Sequence, residues 1–85
     1  MQLTLLYFAG LREAVGVPRE VVTVPPQVAT VGAARAWLCQ RGGVWAEALA
    51  AGRNVRAALD QRMAPPEAPL HDGAELAFFP PVTGG

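Results

Sequence analysis

Three Pro-Pro pairs, Pro25-Pro26, Pro65-Pro66 and Pro80-Pro81, cut this 85-residue chain into short lengths. Proline lacks the backbone donor and fixes φ, so neither a helix nor a central strand runs through such a pair. Before the first pair, Gln2 to Phe8 alternates, with Leu3, Leu5 and Tyr7 on one face and Thr4, Leu6 and Phe8 on the other. That period of two predicts a strand. Gly10 to Val15 reads as a turn or short helix stopped by Gly16 and Pro18, and β-branched Glu20 to Val24 as a second strand in a hairpin with the first. Between the first and second pairs, Thr30 is placed to cap a helix from Val31, with Val31, Ala34 and Leu38 at helical spacing and Gly42-Gly43 as its stop. Trp45 to Leu49 reads as a further short helix and Asn54 to Leu59 as a strand. Ala64 to Pro69, with three prolines, is a loop. His71-Asp72-Gly73 is a turn, and Ala74 to Phe79 is a last strand ended by Pro80-Pro81.

The order strand, strand, helix, strands defines an α+β fold with one main helix on one face of the sheet. The face beneath the helix should hold Leu3, Leu5, Tyr7, Val55, Ala57, Leu59, Leu76 and Phe78. The opposite face should be polar, yet parity puts Leu6, Phe8, Ala77 and Phe79 there. An apolar patch on a free sheet face is the mark of a partner surface.

Composition narrows the function. The chain is 52% apolar and 16% charged, below the usual proportion of about a quarter, with seven arginines, no lysine, seven acids and a formal net charge of zero. A neutral balance with scattered arginines excludes the basic stripe that phosphate neutralisation needs, so no nucleic-acid partner is expected. A single cysteine cannot close an internal disulfide or by itself build a zinc or iron–sulfur site, and no metal site is expected. The longest apolar run, Leu3 to Leu11, is far short of the roughly 20 residues of a membrane span, and no signal peptide is recognisable. One cytoplasmic domain without a membrane partner is expected.

The usual catalytic groups are isolated. His71 lies in a turn with no nucleophile nearby, and Cys39 falls near a helix C-terminus, where no dipole lowers its pKa. Trp37 and Trp45 read as core, and Gly42-Gly43 lacks the strand–loop–helix setting of a phosphate cradle. The tail remains. Residues 76–85 carry no charged side chain and end in Gly84-Gly85. Glycine is costly to order, so such an ending is either a frayed terminus or one shaped to enter a narrow channel. Pro80-Pro81 favours the second by stiffening the exit.

The ending Phe78-Phe79-Pro80-Pro81-Val82-Thr83-Gly84-Gly85 resembles the signature of the small, sulfur-carrying subunits of molybdopterin synthase. The opening Leu6-Tyr7-Phe8-Ala9, then Leu11-Arg12-Glu13 and Gly16, is similar to that family's first strand and Arg-Glu step, and the resemblance runs along essentially the whole chain. The chain departs from the family at Asp60-Gln61, often Asn-Gln, and at Ala74-Glu75, often an acidic pair.

The resemblance implies a ubiquitin-like β-grasp domain over residues 1–79 and a flexible, extended tail over residues 80–85. It implies that Gly85 is the reacting residue, adenylated by an ATP-dependent partner and converted to a thiocarboxylate with sulfur from a donor protein. The tail, Pro80 to Gly84, would insert into a large synthase subunit, and the sulfur would pass to a cyclic pyranopterin precursor to form the molybdopterin dithiolene. Leu6, Phe8, Met63, Ala77 and Phe79 are the expected interface. A heterotetramer around a dimeric large subunit is implied, the chain being non-catalytic alone and holding no permanent cofactor. The alternatives are a sulfur carrier for thiamine synthesis or tRNA thiolation, a ubiquitin-like protein modifier, or a β-grasp interaction module whose glycines are incidental.

Overall fold

The computed structural model describes residues 1–81. Alternation builds the first strand, β1 (Gln2–Tyr7): Leu3, Leu5 and Tyr7 are each buried to 1% exposure. A short helix, α1 (Ala9–Val15), follows and ends at Gly16, whose φ of 85° lets its N–H reach back to the Arg12 carbonyl. Strand β2 (Arg19–Thr23) returns antiparallel to β1. The main helix, α2 (Val31–Cys39), buries Val31, Ala34 and Leu38 on the stripe its spacing predicted. Then come α3 (Gly43–Ala48), β3 (Arg56–Leu59), β4 (Arg62–Met63) and β5 (Ala74–Phe79).

The five strands form one mixed sheet in the order β2-β1-β5-β3-β4. The last strand is central, parallel to β1 and antiparallel to β3. Buried Leu38 and Leu49 from the helical side meet Leu3, Leu5, Leu76 and Phe78 from the sheet in one core. Each fully buried side chain of this kind contributes roughly 1.5–3 kcal/mol.

The proline loop has a structural task. The first N–H groups of a helix lack intrahelical acceptors. Here Val31 N donates to Ala68 O (3.0 Å), Gly32 N to Pro66 O (2.8 Å) and Ala33 N to the Thr30 hydroxyl (3.1 Å). The approach is close: a Cβ at Gly32 would lie 3.2 Å from Pro66 Cβ and O.

Three details differ from the sequence expectation. Helix α2 stops at Cys39, before Gly42-Gly43, because the N–H groups of Gln40, Arg41 and Gly42 bond three residues back and tighten the last turn. Of the expected core, Val55 and Leu59 are only half-buried, since β3 has just the two-residue β4 outside it. Strand β4 itself was not foreseen. It pairs with β3 through a two-residue turn in which Asp60 (φ 49°) and Gln61 (φ 69°) are both left-handed. That turn normally advertises itself by Asn-Gly or Asp-Gly.

Candidate functional site

Residues opposite each other in a ladder share a face. Registration therefore draws the free face directly. Leu6 is flanked by Arg19 on β2 and Ala77 on β5, Ala77 by Ala58 on β3, and Ala58 by Met63 on β4. One rung thus runs Arg19, Leu6, Ala77, Ala58, Met63 across the sheet. The next, toward the C-terminal end of β5, pairs Phe79 with Arg56.

Of the expected interface residues, Phe8 (47% exposed) and Met63 (60%) are open, while Leu6 and Phe79 are half-buried. Ala77 has 7% exposure although it is on this face: its small side chain lies in the central strand, flanked across the ladder by Leu6 and Ala58 and along the strand by Glu75 and Phe79. It can form the floor of a contact but projects little. Val21, 59% exposed and opposite Thr4, extends the patch onto β2, a strand from which no interface residue was expected.

Two backbone features hold the tail's root. Phe8 N donates to Phe78 O (3.2 Å), tying the end of β1 to β5. Pro80 and Pro81, both half-buried, then offer no N–H to either neighbour, so pairing ends at Phe79. Val82, Thr83, Gly84 and Gly85 lie outside the described residues.

On the helical side a polar network braces the same strand. The Tyr7 hydroxyl donates to Glu20 Oε2 (3.0 Å), and Arg41 grips both Glu20 oxygens at 2.9 Å. The Arg41 guanidinium lies 4.4 Å from the Trp45 ring centroid, and Trp45 meets the Tyr7 ring edge-on at 5.4 Å. Burial, then the Glu20 charge, pushes the Tyr7 hydroxyl far above the ordinary tyrosine value. The Arg41 hydrogen bonds hold the Glu20 carboxyl below the usual range. Tyr7 is thus a neutral donor with no acid–base role at physiological pH.

The remaining polar groups of the described residues are engaged locally or stand apart. Among the described residues, no three His, Cys, Asp or Glu side chains gather to hold a metal. Cys39 donates to Leu49 O (3.2 Å), and Arg35 spends its guanidinium on the carbonyls of Leu49, Ala50, Arg53 and Val55. His71 Nε2 meets Asp60 Oδ2 on the exposed far end of the sheet. That bond raises the His71 pKa above its ordinary value, and Asp60 is lowered first by the Glu75 N–H and then by His71. A groove of about 510 Å³ between α2 and β3 has only Arg35 and Arg56 as ionisable lining. No helix is long and apolar enough to cross a membrane among the described residues.

A mixed five-stranded sheet, its last strand central and its main helix on one side, places the molecule among the ubiquitin-like β-grasp proteins. In solved structures the fold matches SAMP1 from Haloferax volcanii with a TM-score of 0.81, 27% identity and full coverage of both chains. It also matches a complex of subunits 1 and 2 of molybdopterin-converting factor from Helicobacter pylori (TM-score 0.67, 23% identity, full coverage of both chains), a likeness of fold. Residues 5–85 match the ThiS family, and the chain belongs to it. It is 42% identical to the molybdopterin synthase sulfur carrier subunit of Haemophilus influenzae, over 98% of this chain and 99% of that protein. The identity is also 42% to the subunit of the same name from Escherichia coli, over 95% of this chain and 96% of that protein.

Proposed function

We propose that this chain is the sulfur-carrier subunit of a molybdopterin synthase, with Gly85 as the residue that carries sulfur. The observation that carries this reading is near-full-length identity of 42% to two relatives of that name, within a family match that runs through Gly85 itself. The geometry supports it: the last strand is central in the sheet and leads toward the tail beside a largely apolar free face.

In the proposed reaction the Gly85 carboxylate attacks the α-phosphorus of ATP on an adenylating enzyme, releasing pyrophosphate. A donor protein supplies sulfur at the sulfide level. It adds to the acyl carbon, AMP departs, and a thiocarboxylate remains. On the large subunit the sulfur replaces an oxygen substituent at a carbon of the cyclic pyranopterin precursor: a C–S bond forms as a C–O bond breaks, and the oxygen leaves as water or phosphate. Water cleaves the acyl–sulfur bond and regenerates the carboxylate. A dithiolene has two sulfurs, so each product consumes two charged carriers. ATP is a substrate of the partner, and this chain needs no resident cofactor. The Helicobacter pylori complex supports the large subunit as partner by analogy of fold.

Intact mass spectrometry tests the first half. Incubation with ATP, an adenylating enzyme and a sulfur donor should add about 16 Da, the replacement of one oxygen by sulfur. No gain under conditions that charge a known carrier refutes the reading. Adding precursor and large subunit should discharge the carrier. A charged carrier that instead serves only thiazole formation or tRNA thiolation, or becomes joined to protein lysines, assigns it to one of those roles.

A further inference from the structure

The free face is electrically polarised along its strands although the whole chain is neutral. At the end where β1 and β5 finish, Arg19 stands opposite Leu6 and Arg56 opposite Phe79. Both arginines are exposed, and among the described residues neither has a carboxylate at ion-pair distance. Three of the seven acids gather at the other end, while Glu13 on α1 is balanced by the neighbouring Arg12 and Glu20 by Arg41. Glu75 stands opposite Thr4, Asp60 accepts from Glu75 N (3.0 Å), and Asp72 accepts from Gln2 N (2.7 Å). Four residue steps along β5 separate Glu75 from Phe79, about 13 Å at 3.3 Å per step. That exceeds the Debye length of about 8 Å at physiological salt, so a surface approaching the tail end meets the arginines largely unopposed.

The geometry points to a protein partner whose docking face has an apolar centre and carboxylates on the rim of the cleft that takes the tail. Resting on the proposed function, that partner is the large synthase subunit. Arg19 and Arg56 bracket Leu6, Ala77 and Phe79 on adjacent rungs, so an apolar contact centred on these residues has the two arginines at its border, Arg56 at the margin it shares with the groove beside α2. Hydrogen-bonded charges at such a border set the association rate and the orientation of docking more than the final affinity. The arginines do not serve the reaction centre. Four residues follow Pro81, and a fully extended chain carries Gly85 up to about 14 Å beyond it. Arg19 and Arg56 are rooted in the sheet, behind that reach. An anionic precursor at the acyl carbon lies beyond them, whereas the cleft mouth does not.

Stopped-flow association with the large subunit from the same source tests this at about 25 mM and about 500 mM NaCl, where the Debye length falls from roughly 20 Å to roughly 4 Å. The wild-type rate should fall about tenfold or more with salt, despite zero net charge. Arg19→Glu/Arg56→Glu should associate about tenfold more slowly at low salt and lose most of the salt dependence. Arg19→Gln/Arg56→Gln should fall between them, with thermal unfolding showing that both variants are folded. Arg62→Glu, at another exposed arginine, opposite Leu59 on the helical side, should retain the wild-type salt dependence. A salt-independent wild-type rate, or faster association of the double Glu variant, overturns the acidic rim while leaving the sulfur-carrier reading intact. Failure of the wild type to bind the large subunit at all overturns that reading and the rim with it.

Discussion

Phe78 and Phe79 are neighbours in one strand, and replacing each by alanine should give opposite phenotypes. Phe78 is 1% exposed and stacks with Tyr7 at a centroid distance of 6.5 Å. Its removal leaves a cavity under α2, which costs about 3–5 kcal/mol for a buried aromatic. An 85-residue domain has roughly 4–13 kcal/mol in total at 0.05–0.15 kcal/mol per residue, so Phe78→Ala loses a large share of it. At about 4–8 °C per kcal/mol, Tm should drop by at least about 12 °C. Phe79 is half-buried on the free face and is not among the side chains packed against the core, so its truncation should cost under about 1.5 kcal/mol. If the free face docks as proposed, the same truncation removes an aromatic from its centre, where such residues are worth about 2 kcal/mol or more, some 30-fold in Kd. Thermal unfolding and titration calorimetry against the large subunit read the two quantities separately. Equal falls in Tm would show that the faces of β5 are misassigned. Unchanged Kd for a well-folded Phe79→Ala would remove this face from the interface.

Gln61→Gly should raise Tm, because Gln61 at φ 69° is strained where glycine is not, and the Asp-Gly turn that results gains up to about 1 kcal/mol; an unchanged or lower Tm contradicts it. Arg35→Met keeps much of the stem but strands the carbonyls of Leu49, Ala50 and Arg53, and should cost about 2 kcal/mol by urea unfolding. Arg35→Lys should recover little of this, since an ammonium cannot match the planar fork; full rescue would show that charge alone matters. His71 should titrate in NMR above the unperturbed value of about 6.5. With its folded pKa raised, its contribution is complete below the unfolded pKa and is lost as pH rises through the folded one. The lowered Asp60 contributes above its unfolded pKa and loses this as pH falls through its folded value, so the pair acts between the two. A His71 midpoint at or below the ordinary value would refute the pairing.

What the sequence disclosed and what it concealed divide by the range of the interaction. Alternation and helical spacing are local, so Leu3, Leu5, Tyr7, Leu38, Leu76 and Phe78 were identifiable as core from the chain alone. Parity likewise put Leu6, Phe8 and Phe79 on the other face before any pairing was known. The bracing between Glu20 and Arg41, and the Arg35 cap on distant carbonyls, join residues 14 to 21 positions apart. No periodicity announces such contacts. Strand β4 escaped for a different reason: two residues carry no detectable period, and its turn lacks the usual glycine. The proline loop was legible as a loop, but its service as acceptor for the N-terminus of α2 required the tertiary structure.

The position of β5 constrains the partner as much as it constrains this chain. A C-terminal strand at a sheet edge could peel away and let the tail's origin wander. Here β1 and β5 share a parallel ladder and β3 holds the other side, so the root at Phe79 moves only if the sheet opens. Beyond it, two prolines extend the chain without further pairing, and four residues remain. On the proposed function, the acyl carbon of Gly85 acts within about 14 Å of Pro81, and an enzyme that adenylates or discharges it would place its reacting groups inside that radius while meeting the face that bears Phe79. Reach and docking become separable on this argument. Inserting two glycines between Pro81 and Val82 adds up to about 7 Å of chain without touching the face. Binding to the large subunit should stay near wild type while sulfur transfer falls steeply, because the loss is of positioning at the reacting atom. Transfer at the wild-type rate would mean that the cleft captures the glycines independently of the sheet.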